Sequence, residues 1–276
     1  MKAILFVGHG SRDAEGNEQV FQFVEQLRSK IDSRYYIETC FLEFGLPTML
    51  EGMKRCVAAG AHEVIVIPII LLAAGHSKLH IPAAIDEARK QYPHVKFTYG
   101  RPIGIHEQTF VILKERLLEI GEDAETPDSG TAILLLGRGG SDPDANSDLY
   151  KIARLFWERT NYSLVEPAFM GVTNPLLDEG VDRCIRLGAK KVVILPYFLF
   201  TGVLIKRLEE KISEFRSRYP HVEFALAGYF GFHPKLQTIV LDRLEEALGQ
   251  AVKMNCDLCQ YRLHMAEHHH HHHHHH

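Results

Sequence analysis

Short apolar runs alternate with amphipathic stretches along this chain. Residues 3–7 (AILFV) are apolar at every position and are followed by Gly8, a pattern typical of a buried parallel strand. Apolar residues at helical spacing come next, through residues 20–27. The same alternation predicts strands at residues 36–42, 63–71 and 96–99, and helices at residues 47–59, 80–91 and 107–119. This order of elements predicts an α/β fold with a parallel sheet.

The second half of the chain repeats the first. Residues 132–139 (AILLLGRG) match residues 3–10 (AILFVGHG), and residues 192–196 (VVILP) match residues 64–68 (VIVIP). The repeat predicts two similar Rossmann-like lobes, each a parallel sheet flanked by helices, with a cleft between them. The predicted divisions are an N-terminal lobe at 1–125, a linker at 126–130, a C-terminal lobe at 131–251, a tail at 252–264 and an expression tag at 265–276.

Composition narrows the class of protein. The 276 residues are 46% hydrophobic and 24% charged, as in ordinary soluble domains. The net charge of −4 and the lack of a long basic block argue against a nucleic-acid partner. There is no apolar run long enough for a membrane span and no signal peptide, so we expect a cytoplasmic protein. Five scattered cysteines do not suggest a disulfide framework, and we interpret Cys40, Cys56 and Cys184 as core residues.

The repeat separates residues kept for folding from candidates for chemistry. Three residues that follow predicted strands of the first half have a different residue type in the second half. His9 aligns with Arg138, Glu43 aligns with Gly171, and His76 aligns with Val203 or Leu204. Carboxyl ends of parallel strands meet at one edge of a sheet, so these three side chains can converge there. Two imidazoles and a carboxylate suit a first-row divalent metal ion or proton transfer near neutral pH.

Two other interpretations of this region stay open. A histidine at a strand end can simply bond a backbone carbonyl. Gly8 and Gly10 can also begin a phosphate-binding turn, although Asp13 stands where the dinucleotide fingerprint has its third glycine. The negative charge of Asp13 is unfavourable beside a phosphate.

Further residues near the same strand ends are candidates for substrate binding. The glycines leave room for a large ligand to approach His9. Arg12, Lys78 and Arg101 can meet an anionic substrate or form a solvated face. His80 either contacts substrate or is an exposed residue that opens a helix. The predicted substrate-binding set is Gly8, Gly10, Ser11, Arg12, Ser77, Lys78 and His80.

The remaining histidines lack such support. His94 and His221 occur in both repeats within Tyr-Pro-His-Val, which indicates turns. His62, His106, His233 and His264 have no supporting context, and we interpret them as surface residues. The histidine run that ends the chain is a purification tag.

Three motifs together resemble those of the class II tetrapyrrole chelatases. They are residues 7–12 (VGHGSR), 41–43 (FLE) and 74–76 (AGH), and the chain is similar to the long, internally duplicated sirohydrochlorin chelatases. The resemblance implies insertion of a divalent metal ion into sirohydrochlorin without a nucleotide. His9, His76 and Glu43 would be catalytic, and His9 and His76 would bind the metal. It implies that the partners are the tetrapyrrole and the ion, and we expect a monomer or homodimer.

The resemblance leaves the metal and the biological role to be decided. Insertion of Co²⁺, for cobalamin biosynthesis, is the leading hypothesis, and insertion of Fe²⁺, for sirohaem biosynthesis, is the alternative. Ni²⁺ also accepts imidazole and carboxylate ligands. A third hypothesis is a non-enzymatic, two-lobed protein that binds a metal or a tetrapyrrole.

The C-terminal tail carries a separate motif. Residues 254–262 (MNCDLCQYR) resemble the Met-x-Cys-x-x-Cys tail that some cobalt-inserting members link to an iron–sulfur centre. Cys256 and Cys259 cannot complete a four-thiolate cluster within one chain. The alternative is a reduced tail without a cluster.

Overall fold

The computed structural model of the chain describes residues 1–249, except for the side chain of His76. Its elements are, in the first half, β1 (Lys2–Gly8), α1 (Ala14–Arg28), β2 (Tyr36–Phe41), α2 (Met49–Ala58), β3 (Glu63–Ile69), α3 (Gly75–Gln91), β4 (Lys96–Tyr99) and α4 (Glu107–Leu118). In the second half they are β5 (Thr131–Gly137), α5 (Pro143–Glu158), β6 (Leu164–Phe169), α6 (Leu177–Arg186), β7 (Lys191–Pro196), α7 (Val203–Arg218), β8 (Glu223–Leu226) and α8 (Pro234–Leu248).

Each half forms a four-stranded parallel sheet. The strand orders are β2-β1-β3-β4 and β6-β5-β7-β8, so the two topologies are the same. β1 and β5 lie at interior positions, and their apolar runs are buried because helices cover both faces. Gly8 pairs with Phe41, and Gly137 pairs with Phe169, so the register also repeats. The predicted fold of two similar parallel α/β lobes is confirmed.

The helix starts use the same local device in both halves. Asp13 caps α1 and Asp142 caps α5, each through a side-chain oxygen that accepts a backbone N–H two residues later. α2 begins with a capping box between Thr48 and Glu51. These caps fix where the chain leaves each strand-to-helix loop.

Most predicted elements agree with the structure to within two residues, but α3 does not. It begins at Gly75, five residues before the predicted start at residue 80, and it includes Pro82. Pro82 is the eighth residue of this helix, beyond the first turn, and its ring nitrogen cannot donate to the carbonyl oxygen of Lys78. His76 therefore lies in the first turn of a helix instead of in a loop.

The last helix of each half packs on the other half. α8 contacts β3, and Arg243 of α8 donates to the carbonyl oxygen of Ile103 at 2.5 Å. In the reverse direction, Arg116 of α4 donates to the carbonyl oxygen of Phe230 at 2.6 Å. One hydrophobic core, which includes Phe6 and Phe156, consequently runs through both lobes.

Two histidines predicted at the surface belong to this interface, so that interpretation was wrong. His106 caps α4 and pairs with Asp242 of α8 at 2.8 Å, while His233 caps α8 and pairs with Glu115 of α4. In each, Nδ1 accepts a backbone N–H and Nε2 faces the carboxylate. Both imidazole rings are thereby held between α4 and α8.

Cys40, Cys56 and Cys184 are buried and unpaired, as predicted. Burial raises the pKa of Cys56 and of Cys184 to about 12, so these thiols stay protonated and unreactive. Within residues 1–249, no helix combines the length and apolar content needed to cross a bilayer.

Candidate active site

His9 lies on the loop that joins β1 to α1. Gly10 makes this loop possible, because its φ is +94° and a Cβ there would stand 1.5 Å from the carbonyl oxygen of Glu43. The backbone N–H of Glu43 donates to the carbonyl oxygen of His9 at 3.1 Å. The loops after β1 and β2 therefore pack directly against each other.

The His9 and Glu43 side chains lie together at the end of these strands. His9 Nδ1 is 3.8 Å from Glu43 Oε1, with the two side chains 31% and 29% exposed. Nδ1 also lies 3.3 Å from the carbonyl oxygen of Gly10. A proton on Nδ1 satisfies that carbonyl and leaves the lone pair on Nε2. The pair can thus combine a basic imidazole nitrogen with a carboxylate that is partly exposed to solvent.

Asn17 holds the two loops in place, and we did not predict this role. Its side chain accepts the backbone N–H of Ser11 at 2.8 Å and donates to the carbonyl oxygens of Ser11 and Phe44. Asn146 makes the corresponding pair of bonds to Gly140 in the second lobe. The signal was an asparagine retained at this position of both repeats.

His76 is the second residue of α3. The matching helix α7 begins at Val203, so His76 corresponds to Leu204 when both are counted from the helix start. Ala74, the N-cap of α3, lines the same cleft as His9. The side chain of His76 lies outside the described part of the structure, so the pairing of the two imidazoles stays a prediction.

A cleft between the lobes opens at His9. It contains about 1050 Å³ of space, part of it open to solvent. Much of its wall is apolar, and both lobes contribute to it. Its apolar residues include Ile69, Leu71, Phe169, Tyr197, Leu199 and Phe200. Backbone of the glycine loops that follow β1 and β5 lines the region beside His9. These surfaces suit a flat apolar ring with polar groups at its edge.

Only part of the predicted substrate-binding set lines this cleft. Gly10 and Ser11 line it, as does Asn17. Gly8 instead serves packing, because a Cβ there would meet Val20 and Phe41 at 3.1 and 3.2 Å.

The other predicted contacts have different surroundings. The Arg12 guanidinium lies 4.5 Å from the centre of the Phe44 ring, and the Ser77 hydroxyl donates to the carbonyl oxygen of Ala74. Lys78 pairs with Asp142 at 2.6 Å, and His80 is exposed. Their substrate contacts stay predictions.

Lys78 forms one of two matching ion pairs between the lobes. Lys206 of α7 pairs with Asp13 at 2.6 Å, as Lys78 of α3 pairs with Asp142. Each lysine thus contacts the helix cap of the opposite lobe. The hydrogen bond from Lys78 lowers the pKa of Asp142, and that from Lys206 lowers the pKa of Asp13.

Arg138 of the second lobe contacts His9. Its Nη1 lies 3.2 Å from Nδ1 and 3.3 Å from Nε2 of the imidazole. We did not predict this contact, because Arg138 served only as evidence that the second repeat lacks the histidine. The alignment of Arg138 with His9 could have predicted the contact. Equivalent loops of two repeats can face each other across the cleft between the lobes.

The part of the chain that the structure describes contains no cluster of three or more histidine, cysteine, aspartate or glutamate side chains able to hold a metal ion. Cys256 and Cys259 lie outside the described residues, and the iron–sulfur centre stays a prediction.

Comparison with known proteins gives consistent results. A sequence model of the CbiX family matches residues 3–120 and again residues 132–247. A sirohydrochlorin cobaltochelatase from Priestia megaterium is 65% identical over 268 residues, which cover 97% of this chain and 87% of that protein. A sirohydrochlorin ferrochelatase from the same organism is 35% identical, with 90% of this chain and 91% of that protein covered. The structure of SirB from Bacillus subtilis with Fe³⁺ superposes with a TM-score of 0.77 at 35% identity, covering 89% of this chain and 95% of that one.

Proposed function

The chain belongs to the CbiX family, and from this premise we propose that it is a sirohydrochlorin cobaltochelatase, which inserts Co²⁺ into free-base sirohydrochlorin. The observation that carries the proposal is the 65% identity to a cobaltochelatase over 97% of the chain. The His9–Glu43 pair at the mouth of a two-lobed apolar cleft supports the same chemistry.

The reaction needs a base and a weak metal site. Insertion breaks two pyrrole N–H bonds, forms cobalt–nitrogen bonds and releases two protons, with no change of oxidation state. The Nε2 lone pair of His9 binds the incoming ion or takes a pyrrole proton. Glu43 orients the imidazole and passes protons to solvent, since both side chains are partly exposed. His76, in the first turn of α3, is the second proposed ligand.

An open donor pair suits transfer better than a closed cage. Four protein ligands would satisfy the ion and retain it. His9 and His76 leave positions for water and for the nitrogens of the macrocycle. The apolar walls of the cleft hold the flat ring beside His9, and the ring edge carries the polar substituents toward the loops.

Iron is the second candidate metal. The ferrochelatase relative is 35% identical over nearly the whole length, and the superposed SirB structure contains Fe³⁺. The higher identity to the cobaltochelatase favours Co²⁺. Because imidazole and carboxylate accept both metals, supply in the cell contributes to the choice.

The test is a direct insertion assay. Purified protein is mixed anaerobically with sirohydrochlorin and either Co²⁺ or Fe²⁺, and the absorbance change is compared with the reaction without protein. We expect acceleration with both ions and a higher kcat/KM with Co²⁺. A higher kcat/KM with Fe²⁺ would favour the ferrochelatase. An unaccelerated reaction with retained tetrapyrrole binding would favour a binding protein. Complementation of strains that lack cobalamin or sirohaem synthesis then assigns the biological role.

A further inference from the structure

Arg138 lies in the cleft between the lobes and contacts the imidazole of His9. It follows β5 as His9 follows β1, and both residues line the cleft between the lobes. Its Nη1 is almost equidistant from the two ring nitrogens of His9, at 3.2 and 3.3 Å. An in-plane approach between these nitrogens would collide with the ring carbon that joins them. The guanidinium nitrogen therefore lies over the ring face.

The charge of Arg138 is not neutralised by a carboxylate within the described residues. Other cations around the cleft and the interface are paired: Lys78 with Asp142, Lys206 with Asp13, and Arg101 with Glu246. Arg138 makes no such ion pair in residues 1–249, and its side chain is exposed. The positive charge of Arg138 beside His9 opposes the approach of a divalent cation to the same imidazole.

A carboxylate is the natural alternative partner of this guanidinium. Arginine binds carboxylates through two parallel N–H bonds, which are stronger than its contact with a neutral imidazole. Sirohydrochlorin carries carboxylates around its ring. A macrocycle seated in the cleft would present them near the loops after β1 and β5.

We propose that Arg138 is a positioning residue that sets the order of binding. Before the macrocycle binds, Arg138 covers the face of His9 and disfavours binding of the metal ion. A carboxylate of the macrocycle draws it away, and His9 then accepts the ion beside the bound ring. The inference rests on the proposed function, because it assigns to Arg138 the recognition of that anionic substrate. It predicts that macrocycle binding and metal binding favour each other through one side chain.

The experiment measures Co²⁺ binding to the full chain without macrocycle, by equilibrium dialysis and by cobalt d–d absorption. The variants are Arg138→Gln and Arg138→Lys, with His9→Ala as the blank, because the terminal histidines bind Co²⁺ in every protein. We expect Arg138→Gln to bind Co²⁺ about tenfold more tightly at the His9-dependent site, within the range typical of coupled sites. Arg138→Lys, which keeps the charge, should restore most of the exclusion. The gain should disappear in the double variant Arg138→Gln, His9→Ala.

Steady-state kinetics supply the second readout. Arg138→Gln should raise the KM for sirohydrochlorin about tenfold while kcat changes less, and Arg138→Lys should recover only part of that KM because it lacks the planar fork. A purely structural role would lower thermal stability and kcat instead.

Unchanged Co²⁺ affinity together with an unchanged KM in Arg138→Gln would overturn the inference. Failure of the proposed function has a different signature, which is no turnover by the wild-type protein. The Co²⁺ titration remains informative in that event.

Discussion

The two lobes share a fold and differ in their chemistry. Both place a positive-φ glycine after the first strand, at Gly10 and Gly139, and in each a Cβ would collide with a carbonyl oxygen from the neighbouring loop. Both use an aspartate cap, an asparagine that ties the loop, and a lysine that reaches the opposite cap. The retained residues therefore build the loops.

The residues that differ are those able to move a metal ion or a proton. His9 is replaced by Arg138, and Glu43 by Gly171, at matching backbone positions. The imidazole and carboxylate lie in one lobe, while the other lobe supplies a cation and part of the apolar wall. Duplication thus allowed one copy to keep the reactive groups and the other to become part of the binding surface.

The largest expected effect comes from His9. In His9→Ala the lone pair and the proton acceptor are both lost, and kcat for Co²⁺ insertion should fall by about 10²–10⁴-fold. Absorbance-monitored turnover measures it. His94→Ala, at an exposed histidine far along the chain, is the matched control and should keep wild-type kcat. Equal activity of the two variants would contradict the assignment of His9.

Glu43 should matter less, because it acts through His9. Glu43→Gln keeps the shape of the side chain but cannot accept a proton, so kcat should fall by about 10–100-fold, as for partners of metal-binding histidines. Glu51→Gln tests an exposed carboxylate that serves a helix cap. A fall of the same size in Glu51→Gln would show that the loss reflects folding.

The shared glycines sharpen the comparison between the lobes. Gly10→Ala and Gly139→Ala each force a side chain into a positive-φ turn against a carbonyl oxygen 1.5 or 2.0 Å away. Each should lower the free energy of unfolding by about 1–3 kcal/mol, measured by urea denaturation. Activity per folded molecule should fall more in Gly10→Ala, since that loop carries His9. Equal losses of activity would contradict the division of roles.

The smallest expected effect is the pH dependence of stability that His106 contributes at the contact between α4 and α8. Burial, assisted by Arg243, lowers the pKa of His106 below its ordinary 6.5, although Asp242 opposes the shift. Near this pH the unfolded chain therefore binds more protons at His106 than the folded chain does. The contribution of neutral His106 to the free energy of unfolding is consequently lost as pH falls below about 6.5. His106→Asn keeps a capping oxygen and should flatten the stability profile below about pH 6.5. His62→Asn, at an exposed histidine, should leave the profile unchanged.

The periodicity of apolar residues was sufficient to predict most strands and helices, because the local residue preferences agree with the elements that the structure contains. Fully apolar runs marked the interior strands, and the repeat gave each assignment a second observation. The start of α3 was missed because Gly75 is a poor helix former and Pro82 favours the first turn of a helix, which together indicate a start near residue 80. The packing of α4 and α8 on the opposite lobes could not be predicted for a different reason. Periodicity identifies the apolar face of a helix but not the surface that covers it.

The candidate site was predicted in part. Comparing the repeats identified His9 and Glu43, which the structure brings together. The same comparison could not reveal Arg138, since a method that looks for groups lost from one copy ignores what replaces them. His106 and His233 were missed because histidine is not among the preferred helix caps. The cytoplasmic location and the monomeric or dimeric state stay predictions.

The central claim is that the ion is transferred at the imidazole of the first lobe. Crystals of the full chain that hold sirohydrochlorin, soaked with Co²⁺ and with diffraction recorded above and below the cobalt absorption edge, test it most directly. The account predicts an anomalous peak within coordination distance of His9, in the cleft. A peak bound by residues of the second lobe, with none at His9, would contradict it.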